Sequence, residues 1–366
     1  MFERWCVPRY CSEKPIIMRF YYLDFLRLFL AFCVVQYHVF EQLHKGTAKI
    51  MQGAFLAVDC FFILSGFVLT QSIVLKNLTF NQFLVQRIAR IFPLFWLSLA
   101  LVVVASEIDI TNNNNIYDFI TQFFLLHSLG FITQHLGWNY PSWTLSVEFW
   151  LNIGMLYFMV RYIESKREKS GIFMAMLLVL CFASIFFIRA GNGNFDIYLN
   201  QIFGFTNIGV IRCLIGFSIG VLLYYASKSE FLVKNFSKSK SYIFLCEIIL
   251  LFLLYCCLKR NGLSYNFLCV FIVFPLIVLI SAVRTNVSLF SQICSLPIIR
   301  ELGNFSYAVY LLHVPFLYFL ATFSWFTTKE PYFQSIVLCV ATFAVSVPVY
   351  YFYEKKAKKI LIEKLS

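Results

Sequence analysis

Eight ionisable residues fall inside long apolar stretches of this sequence: Asp24, Arg27, His38, Asp59, Glu148, Arg212, Glu247 and His313. Charge in such surroundings is costly, and intramembrane ionisable groups are by default candidates for function. Arg27 and His38 share one apolar stretch, eleven residues apart. At about 100° per residue that spacing returns to within roughly 20° of one helix face, with about 16 Å between the two along the axis. One face of one helix therefore carries a fixed cation at one depth and an imidazole at another. Asp24 lies one turn before Arg27 and is placed to pair with it. Asp59 and Glu148 enter their apolar stretches at about the depth of His38, and a carboxylate beside a histidine fixes its tautomer and supports the imidazolium. The structural alternatives are that Asp59 caps its helix and that Glu148 pairs with Arg212. Arg87 and Arg90, three residues apart, share a helix face at the entrance of another stretch. Guanidinium forks suit phosphate oxygens, although plain membrane-boundary anchoring would need the same residues. His313 stands two residues before Pro315, where a polar group can satisfy backbone freed by the proline.

Positioning these groups requires a membrane. Of 366 residues, 60% are hydrophobic and only 13% charged, against about a quarter charged in soluble domains. The expected fold is all-α, a polytopic bundle of about ten spans at 22–42, 54–75, 91–106, 142–160, 171–188, 207–226, 242–258, 265–283, 303–325 and 332–353. A cytoplasmic segment 1–21 precedes the transmembrane domain 22–353, and a basic tail 354–366 comes after it. The first 21 residues are polar and basic, without a cleavable signal, so the first span is expected to serve as targeting signal and retained helix.

The net charge of +12 matches this topology. With the N-terminus inside, the inner segments hold 22 Lys and Arg and the outer loops 6. That asymmetry puts both termini in the cytoplasm, suits contact with anionic membrane lipids, and removes any need for nucleic acid as a partner. The 12 cysteines are scattered without a CxxC pair and are read as small packing residues. No metal site is expected. The stretch Phe119–Ile132 is too short to cross and is read as interfacial or re-entrant.

Six segments in order resemble the acyltransferase-3 family of integral membrane O-acyltransferases, which includes O-antigen and other surface-polysaccharide O-acetylases. They are Tyr22-Leu23-Asp24-Phe25-Leu26-Arg27 with Tyr37-His38, then Val58-Asp59 to Phe67, Arg87 to Pro93, Trp143-Thr144-Leu145-Ser146-Val147-Glu148-Phe149, Arg212 to Gly220, and Gly303 to Pro315 through Tyr307 and His313. The resemblance spans nearly the whole chain. It departs at Phe25 and Leu28, where glycines are frequent in the family, at Thr144, where serine is, and at Lys355, where proline often comes after the glutamate. Some members append an extracytoplasmic esterase-like domain; none is expected here.

The resemblance implies an enzyme of a bacterial inner (cytoplasmic) membrane. It would move a short acyl group, acetyl by analogy, from cytoplasmic acyl-CoA to a carbohydrate hydroxyl on the outer side: cell-surface polysaccharide, lipopolysaccharide O-antigen or exopolysaccharide, lipid-linked or not. Acetyl-CoA is then a co-substrate rather than a resident cofactor. Catalysis falls to His38 with Glu148 or Asp59. Donor binding falls to Arg27, Arg87 and Arg90, and Asp24, Arg212, Ser146, Tyr307 and His313 support them. His38 is either the general base on the acceptor hydroxyl or a covalent acyl carrier. The competing reading is a transporter or flippase for a lipid-linked or anionic substrate, which thioester consumption by the purified protein would exclude.

Overall fold

A computed structural model describes residues 19–44, 51–130, 136–165, 201–202, 206–229, 232, 240–283 and 289–365. Within them the chain is a helical bundle. The strand content is one two-residue antiparallel pairing, Gln201–Ile202 with Thr206–Asn207. Eight helices are long and apolar enough to cross a membrane among the described residues. In chain order, α1 is Tyr21–His44, α2 Ala57–Lys76, α3 Phe80–Ala105 and α4 Asn113–Phe123. Next come α5 Tyr140–Ser165, α6 Ile208–Ala226, α7 Lys240–Lys259, α8 Leu263–Val283, α9 Pro297–Ala321 and α10 Pro331–Leu365. Helices dominate because lipid offers no partner for backbone polar groups, and a helix satisfies them internally. The expected span 171–188 lies outside the described residues; α7 coincides with the expected span 242–258.

Two boundaries differ most from the sequence expectation. Helix α3 starts eleven residues before position 91, so Arg87 and Arg90 lie within it and not at its mouth. Its start is set by a capping box: Thr79 Oγ1 accepts from the Gln82 N–H (3.3 Å) and Gln82 Oε1 from the Thr79 N–H (3.1 Å). Helix α10 runs past position 353 to Leu365. Hydropathy marks the apolar thickness, whereas caps and helix propensity mark where a helix ends. The interfacial stretch is in part helical as α4, whose Phe123 stacks on Trp96 (4.8 Å, 11°) and accepts the Trp96 Nε1–H at its carbonyl (3.0 Å).

Helices α2 and α6 cross with their backbones nearly touching. A Cβ on Gly66 would lie 2.6 Å from Phe217 O, and one on Gly220 2.3 Å from Ile63 O. Small residues permit this approach, which is how membrane helices gain packing without a hydrophobic drive between them. Helix α1 lies at the centre, packed on α2, α9 and α10, and the last turns of α10 lie along α3. Among the described residues three π turns interrupt the long helices, at Asn152–Leu156, Cys269–Val273 and Val349–Glu354. Each inserts a residue and rotates the rest of its helix about the axis; the third turns Glu354 toward α3.

Candidate active site

The α1 and α9 helices bring two histidines together. His38 Nδ1 lies 2.8 Å from His313 Nε2, with ring planes within 6°. His313 Nδ1 lies 3.3 Å from the carbonyl of Val309, one turn back in its own helix. A carbonyl can only accept, so neutral His313 carries its proton on Nδ1 and presents Nε2 as an acceptor. His38 then donates from Nδ1, which leaves its Nε2 with a lone pair. His313 is fully buried and His38 half-buried, so the arrangement is anchored on the inside and open on one side.

His313 therefore does not serve the backbone freed by Pro315. That carbonyl, Leu311 O, accepts instead from Asn139 Nδ2 (3.0 Å), which also donates to Ser98 Oγ (3.1 Å). Asn139 and the adjacent turn lead into α5 and set Tyr140 against His38, with ring centroids 4.6 Å apart and planes 82° apart.

Neither expected carboxylate is the hydrogen-bond partner of His38. Asp59 and Arg212 form a buried bidentate pair, Nε to Oδ1 at 3.0 Å and Nη2 to Oδ2 at 2.6 Å, with side chains 2% and 1% exposed. Arg212 also donates to Phe55 O (3.3 Å) and lies over the rings of Trp143 (5.6 Å) and Phe55 (5.8 Å). The α2–α6 crossing makes this pairing, so Arg212 is satisfied by Asp59 and not by Glu148. Glu148 Oε1 accepts from Ser65 Oγ at 2.6 Å, and the side chain stands within electrostatic range of Arg87, Tyr307 and Tyr310. It belongs to a layer between the histidines and the arginines.

The arginines occupy the other depth. Arg27 is half-buried and within electrostatic range of Arg87. Asp24 is not its partner: Asp24 accepts from Arg19 Nε at 2.7 Å, and Gly303 presses on its backbone. Arg90 donates through Nη1 to buried Glu354 and lies over the ring of Tyr307 (4.9 Å). The Tyr307 hydroxyl in turn donates to Ile91 O (2.7 Å). Arg87, by contrast, has a buried Nε with no hydrogen-bond partner among the described residues. Lys358, one turn after Glu354, stands within electrostatic range of both arginines. Ser146 anchors a loop: its Oγ donates to Leu125 O (2.6 Å) and accepts from Ser128 N (3.2 Å).

Sequence reasoning does not single out Tyr140, Asn139, Ser65 or the Arg90–Glu354 contact. An aromatic or amide near a membrane boundary is common, and no local spacing signals a partner more than two hundred residues away. His127 gives no signal in the sequence, where it stands near an outer loop. In the fold it is fully buried, with Nε2 3.0 Å from Ser142 Oγ.

A family model described as an acyltransferase domain, of the acyltransferase-3 type, matches residues 20–351. A Bacillus subtilis protein provisionally named a peptidoglycan O-acetyltransferase is 27% identical over 356 residues, which cover 91% of this chain and 54% of that protein. The peptidoglycan O-acetyltransferase OatA of Listeria monocytogenes is 24% identical over 92% of this chain and 55% of its own length. The acyltransferase MdmB of Streptomyces mycarofaciens is 33% identical over 182 residues, 45% of this chain and 47% of its own. The chain thus spans about half the length of the curated relatives it matches. No solved structure matches it.

Proposed function

The chain belongs to the acyltransferase-3 family, and from that premise we propose that it moves a short acyl group from a cytoplasmic acyl-CoA to a hydroxyl of a cell-envelope glycan. Relatives similar over nearly all of this chain are named for peptidoglycan, which favours a peptidoglycan-type acceptor over the lipopolysaccharide O-antigen that the motif resemblance equally allows. The donor is read as acetyl-CoA for the same reason.

The observation that carries the proposal is the His38–His313 hydrogen bond. It holds the His38 proton on Nδ1 and leaves Nε2 as a base. The acceptor oxygen attacks the thioester carbonyl carbon while its proton passes to His38 Nε2. The carbon–sulfur bond then breaks, and the proton moves on to the CoA thiolate, so no charge is left over. A positioned base of this kind contributes about 10²–10⁴-fold.

Arg87, whose buried Nε–H has no partner among the described residues, and Arg27, within electrostatic range of it, are the groups assigned to the donor phosphates. Arg90 is engaged by Glu354, so its part is to hold α10 and Tyr307 against α3. The roughly 16 Å along α1 between Arg27 and His38 suits a donor lying along the helix, phosphates at one end and thioester at the other. Glu148 lines the way between them. Asp59 and Arg212 act as a structural tie between α2 and α6.

The test is thiol release by the purified full-length chain in lipid nanodiscs, given acetyl-CoA with peptidoglycan fragments or with O-antigen polysaccharide. The expectation is acceptor-dependent thiol release with the first, absent in a His38→Ala variant that still inserts in the membrane. Undiminished release by that variant would overturn the mechanism.

A further inference from the structure

The turn that opens α5 brings a phenol into the histidine site, and acyl transfer through His38 alone gives it no task. Tyr140 is only 8% exposed, and its ring stands edge-on to His38 with 4.6 Å between centroids. Its hydroxyl is buried and has no hydrogen-bond partner among the described residues. Buried tyrosine hydroxyls nearly always find a partner, and an orphan in a native structure calls for an explanation.

The orphan is held in place. Asn139, the preceding residue, donates from Nδ2 to both Leu311 O and Ser98 Oγ, and its own carbonyl accepts from the Ser142 N–H at 2.8 Å. The Tyr140 ring is packed with Val102 and Val314, with Tyr318 perpendicular at 6.5 Å. The phenol cannot swing out to water without breaking this packing, so a donor is kept desolvated beside the proposed base. A preorganised donor in a dry site is the arrangement that stabilises developing negative charge.

We propose that Tyr140 is a further catalytic residue, whose O–H donates to the thioester carbonyl oxygen as that oxygen becomes an oxyanion. The proposal rests on the reading of His38 as the point of transfer. When the acceptor oxygen bonds to the carbonyl carbon and its proton goes to His38 Nε2, the carbonyl π pair moves onto its oxygen. Tyr140 hydrogen-bonds that oxygen and keeps its own proton. The pair returns as the carbon–sulfur bond breaks, the sulfur leaves with the bonding electrons, and His38 returns the proton to it. An interaction that strengthens only in the transition state raises kcat rather than tightening ground-state binding.

The experiment is Tyr140→Phe in the full chain in nanodiscs, assayed with acetyl-CoA and peptidoglycan fragments. Losing one oxyanion donor is expected to lower kcat by about 10²-fold or more, with the donor KM within about twofold. The melting temperature should not fall, because the hydroxyl has no partner to lose. A kcat within about threefold of the parent, or a loss of rate that comes with a lower melting temperature, overturns the proposal. If the phenylalanine variant does not accumulate, 3-fluorotyrosine at position 140 keeps the ring and the hydroxyl while changing its acidity. A changed kcat then supports the role and an unchanged one refutes it. His38→Ala is measured alongside. Activity in that variant refutes the transfer point itself, whereas an inactive His38→Ala with a fully active Tyr140→Phe refutes only the part of Tyr140.

Discussion

The Asp59–Arg212 pair separates a structural tie from a catalytic carboxylate, and the structure sets the sizes involved. Both side chains are essentially excluded from solvent and make two direct contacts at 2.6 and 3.0 Å. Asp59→Leu leaves Arg212 buried, with Phe55 O still accepting from it. Breaking a buried pair on one side costs about 3–5 kcal/mol, and insertion scales put an arginine at the centre of a membrane helix at about 2.5–3.5 kcal/mol. A loss of about 3 kcal/mol is a shift on the order of 10²-fold in the folding equilibrium.

Arg212→Met alone strands the carboxylate and should cost a similar amount. The double variant Asp59→Leu with Arg212→Met removes both charges. It still loses the guanidinium's contacts with Trp143 and Phe55, worth about 1–2 kcal/mol when desolvated. It should therefore be more stable than either single variant and fall short of the parent by about that amount. The assay is reversible unfolding in mixed micelles for all four proteins, run as a double-mutant cycle, together with acyl transfer in nanodiscs. Acyl transfer should return in the double variant wherever folding does. A folded but inactive double variant would show that Asp59 serves the chemistry, and single variants that lose less than about 1 kcal/mol would show that the pair is not a tie.

Two more outcomes are expected at the site itself. His313→Leu removes the acceptor for the His38 Nδ1 proton and should lower kcat by about 10²–10⁴-fold, while His313→Gln, which keeps an acceptor oxygen, should retain more; equal rates for the two in steady-state assays would refute the hydrogen-bond role. Arg87→Ala should raise the donor KM with little change in melting temperature, whereas Arg90→Ala strands Glu354 and should lower the melting temperature; the opposite division between kinetics and thermal unfolding would reverse the roles given to the two arginines.

The helical bundle, the placing of Arg27 and His38 on the first helix, and family membership were legible in the sequence. Apolar length decides what crosses lipid, helical periodicity decides what shares a face, and both are local properties of the chain. The motif order carried the family because it preserves residue types at fixed spacing. The partners of the charged groups were not legible. Asp59 was a candidate to orient His38 and is tied to Arg212. Asp24 was a candidate partner of Arg27 and bonds Arg19. Arg90 was expected on phosphate and is taken by Glu354, which a π turn rotates into reach.

These pairings depend on which helices lie side by side, and local pattern carries no information about that. His38 and His313 are 275 residues apart. What joins them is the packing of α1 on α9, and the close crossing at Gly66 and Gly220 likewise brings Arg212 to Asp59. Inside a membrane each buried polar group must be satisfied by whatever tertiary neighbour is present. The sequence by itself therefore determined which ionisable groups lie within the apolar helices, and only the tertiary structure decided that His38 meets His313 and leaves Nε2 open.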